Sequence, residues 1–144
     1  MENAMSKLFL LITSAMLGIA GCASHSHMLG QGSAPELLNG ELNHIQPSRL
    51  VLESKERKYV AEGFEVLRHR NLAELSKRYR MTNPKHWDRI FAGHDTEHEN
   101  YSAEVKLKAP DNSELNCRLA WLSVKNPSGV CYDKDGKEYI VRFD

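Results

Sequence analysis

The chain of 144 residues has no surplus of charge: 19 basic residues balance 19 acidic ones. That balance argues against a nucleic-acid binder, which needs a basic face to displace phosphate counterions. It argues equally against a polybasic membrane-surface protein. No glycine-rich phosphate loop and no serine-centred nucleophile elbow occurs. Internal repeats are absent, and a length of this order suits a single domain. Cysteine is scarce, with three residues at Cys22, Cys117 and Cys131. One apolar stretch stands out, close to the N-terminus, and it is too short to span a bilayer comfortably.

That stretch has the layout of an export signal. Lys7 supplies a positive charge, and Leu8 to Ile12 are all apolar. Ala15, Met16, Leu17, Ile19 and Ala20 continue the run. Translation from Met5 rather than Met1 would remove Glu2 and leave the positive charge cleaner. The run ends Ile19-Ala20-Gly21-Cys22, an aliphatic residue and two small residues before a cysteine. This resembles the lipobox of bacterial lipoproteins. The resemblance implies cleavage before Cys22, diacylglycerol on its sulfur and a fatty acyl chain, such as palmitate, on its new amino group. Several acyl chains anchor stably, at about 0.8 kcal/mol per buried methylene. The following residue, Ala23, is not Asp, which implies delivery to the outer membrane, facing the periplasm. In a Gram-positive host the anchor would stay in the plasma membrane.

The expected organisation is a cleaved leader over 1–21, a lipidated cysteine and flexible tether over 22–35, and one domain over 36–144. Gly, Ser and Gln after Met28 give the tether a reach of roughly 20 Å. Within the domain, Leu37 to Ile45 fits either a short helix or a loop. Pro47-Ser48 marks a helix start, and Arg49 to Arg70 carries Val60, Phe64 and Leu67 at helical spacing. Asn71 with Glu74 forms a capping box ahead of Leu72, Leu75 and Tyr79. Asn83-Pro84 starts a further helix that Gly93 ends, with Trp87, Ile90 and Phe91 expected to plug the core. The period then changes to two. Tyr101, Ala103, Val105, Leu107 and Ala109 alternate with polar residues, as do Leu115, Cys117, Leu119 and Trp121. Val130–Tyr132 and Tyr139, Val141 and Phe143 supply the last strands. The expected class is α+β: two or three N-terminal helices packed on a C-terminal antiparallel meander of three to four strands. The segment Ala61 to Leu75 is similar to the opening helices of nuclear-transport-factor-like, or cystatin-like, cone folds. That likeness implies a small-ligand pocket between helices and sheet.

With Cys22 taken by lipid, Cys117 and Cys131 remain as an even pair in an oxidising compartment, which favours a disulfide. A hairpin turn centred on Pro127 opposes this, because it sets Cys131 across from Ser123. Two separate buried thiols are the other reading. His94-Asp95-Thr96-Glu97-His98-Glu99 is the densest group of metal-ligand types. On a helix His94 and His98 would share a face. Gly93 and Asn100 point instead to a solvated loop, so His94 and His98 stand as candidates with no metal or cofactor assigned to them. Asp133-Lys134-Asp135-Gly136 has the wrong residues around it for a calcium loop and reads as a turn. The cations Arg68, Arg70, Lys77, Arg78 and Arg80 alternate with Glu62, Glu65 and Glu74, as on a solvated face.

No catalytic constellation emerges. The expectation is a membrane-anchored envelope lipoprotein acting as a non-catalytic binding or assembly module, its partner an envelope protein or other envelope component. The alternatives are a pocket protein with a ligand or substrate near Trp121 and Tyr139, and a metal binder using His94 and His98.

Overall fold

A computed structural model describes residues 26–144. The expected leader over 1–21, and Cys22, lie outside the described residues. The order is β1 (Ser26–Met28), β2 (Leu37–Asn43), β3 (Arg49–Ser54), β4 (Lys58–Glu62) and β5 (Leu67–His69). Then come helices α1 (Leu72–Tyr79) and α2 (Pro84–Phe91), followed by β6 (Asn100–Lys108), β7 (Glu114–Leu122), β8 (Ser128–Tyr132) and β9 (Glu138–Arg142). The strands form one antiparallel sheet in the order β1-β2-β3-β4-β6-β7-β8-β9, with β5 alongside β6. The sheet curls into a half-barrel, and its two edges meet. Leu29 bridges Phe143, Gly30 N–H donates to the Arg142 carbonyl at 2.7 Å, and Asp144 N–H donates to Met28 at 2.8 Å.

This corrects the expected class. From Ser26 to His69 the elements are strands, not helices, and the sheet is not a short meander under helices. Leu50, Val51 and Leu52 are all buried. A strand covered on both faces reads as a continuous apolar run, without the alternation that would betray it. The helical spacing of Val60, Phe64 and Leu67 is coincidental: Val60 lies in β4, Leu67 in β5, and Phe64 between them. Ser54 makes the hairpin turn, its hydroxyl accepting from Arg57 N–H at 3.1 Å. Gly63 ends β4 with φ of +69°, and its N–H bonds the Ser48 carbonyl at 2.8 Å. The segment likened to the opening helices of a cone fold is therefore strand and loop as far as His69. The presumed tether also differs, since β1 already pairs with β2 from Ser26.

Both helix starts fall where the capping residues put them. Asn71 Oδ1 accepts from Glu74 N–H and Asn83 Oδ1 from His86 N–H, each at 3.2 Å. The helices sit beside the sheet rather than within its core. Only Leu75 and Ile90 are buried in them, and Phe91 is 66% exposed, so the expected core plug reduces to Ile90.

The core lies inside the curl. Leu42, Leu50, Leu52, Val105, Leu107, Leu115, Leu119, Val141 and Phe143 fill it. The inward rows of β6, β7 and β9 are those that alternation indicates. Strand β8 joins β7 with Ala120 opposite Ser128, so the loop is centred on Val124, not Pro127. That shift puts Cys117 directly across from Cys131 and removes the geometric objection to a disulfide. The two form a buried bridge with Cα atoms 3.9 Å apart.

Close strand approach at Gly129 is part of this register. A Cβ there would stand 2.0 Å from the Arg118 carbonyl oxygen. Backbone cannot move aside as a flexible side chain can, so Gly129→Ala is expected to cost at least about 2 kcal/mol. Urea denaturation of the two proteins checks this, and an unchanged midpoint would contradict the register.

Candidate functional site

The half-barrel has two chemically different ends. Leu37 and Leu115 mark one; Asn43 and Trp121 mark the other. At the first, a cleft of about 540 Å³ opens among the β2, β3–β4 and β9 segments. Its floor is Leu37, Tyr59, Leu115 and Tyr139, and its rim carries Glu36, Lys55, Glu56, Arg57 and Lys137. The β3–β4 hairpin turn projects Lys55 to Arg57 over one side, and the β8–β9 turn delivers Lys137 to the other.

The rim is held by ion pairs. Lys137 Nζ lies 2.8 Å from Glu36 Oε1 and 5.0 Å from the centre of the Tyr139 ring. The hydrogen bond with Lys137 lowers the Glu36 carboxyl pKa and raises that of the Lys137 amine. Arg57 Nε donates to Asp111 Oδ2 at 2.6 Å, which ties the β3–β4 turn to the β6–β7 turn. This bond, helped by Ser113, holds the Asp111 carboxyl down at about 2. Tyr139 Oη donates to Asp133 Oδ2 at 3.2 Å. Burial first, and then that acceptor, raise the Tyr139 hydroxyl above its usual range. An apolar aromatic floor under oriented charges is the general form of a ligand-binding mouth.

The other end is packed with rings. Tyr101 stacks on Trp121 at 5.5 Å, His44 meets Trp121 edge-on at 5.5 Å, and His27 stacks on His44 at 5.3 Å. Next to them lies Glu99, 1% exposed. Its Oε2 accepts from Tyr101 Oη at 2.9 Å, and its Oε1 faces Arg68 at 3.6 Å and Arg70 at 4.0 Å. Arg70 also donates to the Ile90 carbonyl at 2.8 Å, so one buried carboxylate draws β5, α2 and β6 together. Burial and the Glu99 hydrogen bond raise the Tyr101 hydroxyl.

The loop from Gly93 to Glu99 separates the two histidines that sequence spacing would pair. His94 is exposed, while His98 turns inward to His86 and Asp95. His86 was not a candidate. Its approach depends on α2 folding back on the loop, which local spacing does not encode. The cleft residues Tyr59, Arg57 and Lys137 were likewise missed, because only hairpin register brings them together. Trp121 does not line the cleft, whereas Tyr139 does. Asp133 to Gly136 forms the expected turn, Asp133 Oδ1 accepting from Asp135 and Lys137 N–H at 2.9 Å each. Comparison with protein-family models, curated proteins and solved structures returned no match.

The Arg57–Asp111 pair has a pH signature. A depressed carboxyl pKa stabilises the fold above the ordinary carboxylate range, and this contribution fades as pH falls toward about 2. A carbon-detected NMR titration should find Asp111 ionised down to about that pH. Arg57→Ala should return it toward about 3.9. A normal value in the unaltered protein would contradict the pairing.

Proposed function

We propose that the chain is a lipid-anchored envelope protein, acting as a non-catalytic binding or assembly module that presents the cleft to its partner. The observation that carries this reading is the division of the cysteines. Cys117 and Cys131 bond each other, which leaves Cys22 to complete Ile19-Ala20-Gly21-Cys22. Disulfides persist in oxidising compartments, so the bridge agrees with export. Among the described residues no helix is long and apolar enough to cross a membrane. Attachment then rests on the acyl chains at Cys22, in the outer membrane of a Gram-negative host or the plasma membrane of a Gram-positive one.

The fold supports an orientation. Three residues separate Cys22 from Ser26, where β1 begins. Four Cα steps span about 14 Å at most, so an anchor at Cys22 would hold the domain close to the headgroups. Ser26 pairs with Asn43, at the aromatic end of the half-barrel. The cleft lies at the opposite end and opens away from the side on which the chain arrives. A partner in the periplasm, an envelope protein or other envelope component, would meet it there.

A second reading is favoured by the size of the cleft, which falls in the range of small-ligand sites. In that case a diffusible ligand occupies the space above Tyr59 and Tyr139. Photo-crosslinking in intact cells separates the two. With a benzoylphenylalanine at position 139, the assembly reading expects one dominant adduct with an envelope component. The same probe at position 104, on the outer face, should give none. No adduct, or equal yields from both positions, would overturn the assembly reading. Cys22→Ser should release the protein from the membrane fraction; retention there would overturn the anchor.

A further inference from the structure

His86, Asp95 and His98 stand together although the two histidines are twelve positions apart in sequence. Potential ligand atoms of the three all lie within 4.8 Å of one another. His86 Nε2 and His98 Nε2 face each other at 3.4 Å, and His86 Nδ1 faces Asp95 Oδ2 at 3.4 Å. We propose that His86 and His98 bind one divalent transition-metal ion, zinc by chemistry, through these two Nε2 atoms, with Asp95 positioning His86 from behind.

The distances support this. Nitrogens at about 2.0–2.1 Å from one tetrahedral ion stand about 3.3 Å apart. Without an ion, the same 3.4 Å lets one Nε2–H donate to the other Nε2, so the pair is already in place for a shared ion. A carboxylate 3.4 Å from Nδ1 favours the tautomer protonated there, which turns the Nε2 lone pair to a metal. Imidazole donors suit zinc, copper and nickel rather than magnesium or calcium. Two histidines leave the remaining positions for water or an anionic ligand.

The site is built before any ion arrives. The Asn83 cap and Pro84 fix His86 in the first turn of α2. Gly93, with φ of +79°, ends the helix and turns the chain back. Asp95 is buried, and its Oδ1 accepts from Glu97 N–H at 3.0 Å. The Thr96 and Glu99 carbonyls are bonded by Ser123, so the loop is tied to the end of β7. Tyr79 packs on both imidazoles, with ring centres 4.7 Å from His86 and 5.4 Å from His98. An ion here would staple α2 to the segment that feeds β6. From Leu115 at the cleft to Trp121 at this end, β7 runs about 20 Å, so the site is separate from the cleft. It does not depend on the anchoring or binding role proposed above.

The test is calorimetric titration of the full chain, purified in detergent, with zinc ion alone. The expected result is one equivalent bound. His86→Ala and His98→Ala should each weaken binding at least about tenfold, and Asp95→Asn should weaken it about tenfold. His94→Ala and His27→Ala should leave it unchanged. If the alanine variants do not fold, imidazole NMR of the unaltered protein decides: zinc must shift the His86 and His98 signals and leave those of His27 and His94. No binding, binding indifferent to His86 and His98, or shifts centred on other histidines would overturn the proposal.

Discussion

The register of β7 against β8 is the constraint on which the rest depends. Side chains on a strand alternate, so a slip of one residue would turn Leu115, Leu119 and Trp121 out of the core together. The Cys117–Cys131 bond forbids that slip covalently. Gly129 enforces the same register sterically, because it lies against the Arg118 carbonyl. With β7 fixed, β6 pairs along its whole length, from Asn100 opposite Leu122 to Lys108 opposite Glu114. The long β6–β7 hairpin then sets both ends of the half-barrel.

Those ends divide the chemistry. Leu115 stands under the cleft, among tyrosines and paired charges, where side-chain groups converge on open space. Trp121 stands in a packed ring cluster, beside a carboxylate buried between two arginines. Buried charge is costly unless paired. Glu99 is paired with Arg70 and Arg68 and bonded by Tyr101, and it binds elements distant in sequence. The helices contribute little to the core. Their part is to carry Arg70's acceptor at Ile90 and to bring His86 against His98. If the chain is anchored at Cys22, the packed end lies toward the membrane and the cleft toward the periplasm.

The second half of the fold was legible in the sequence because its strands have one buried and one solvated face. Tyr139, Val141 and Phe143 alternate with exposed Glu138, Ile140 and Arg142, and the pattern survives even an apolar Ile on the outside. Helix caps were legible because they are local: Asn71 reaches only to residue 74, and Asn83 to residue 86. The first half was not legible. Arg49 to Ser54 is buried through three consecutive residues, which hides its period, and the charges around it imitate an amphipathic helix. Register was legible only in part. The inward cysteines were evident, but the turn was set at Pro127, which is buried and accepts Phe143 N–H through its carbonyl, rather than at Val124. The cleft and the His86–His98 pair are products of tertiary folding, and no local spacing specifies them.

Cys117 and Cys131 are joined within the fold, and the proposed anchor needs Cys22 to be the lipidated cysteine. Intact-mass spectrometry of the native protein, extracted from membranes without reductant, tests it most directly. The expected species is a chain beginning at Cys22, heavier by a diacylglyceryl group and an acyl chain, and two hydrogens lighter for the Cys117–Cys131 bond. A mature chain with free, unmodified Cys22, or with Cys22 bonded to either of the other cysteines, would contradict it.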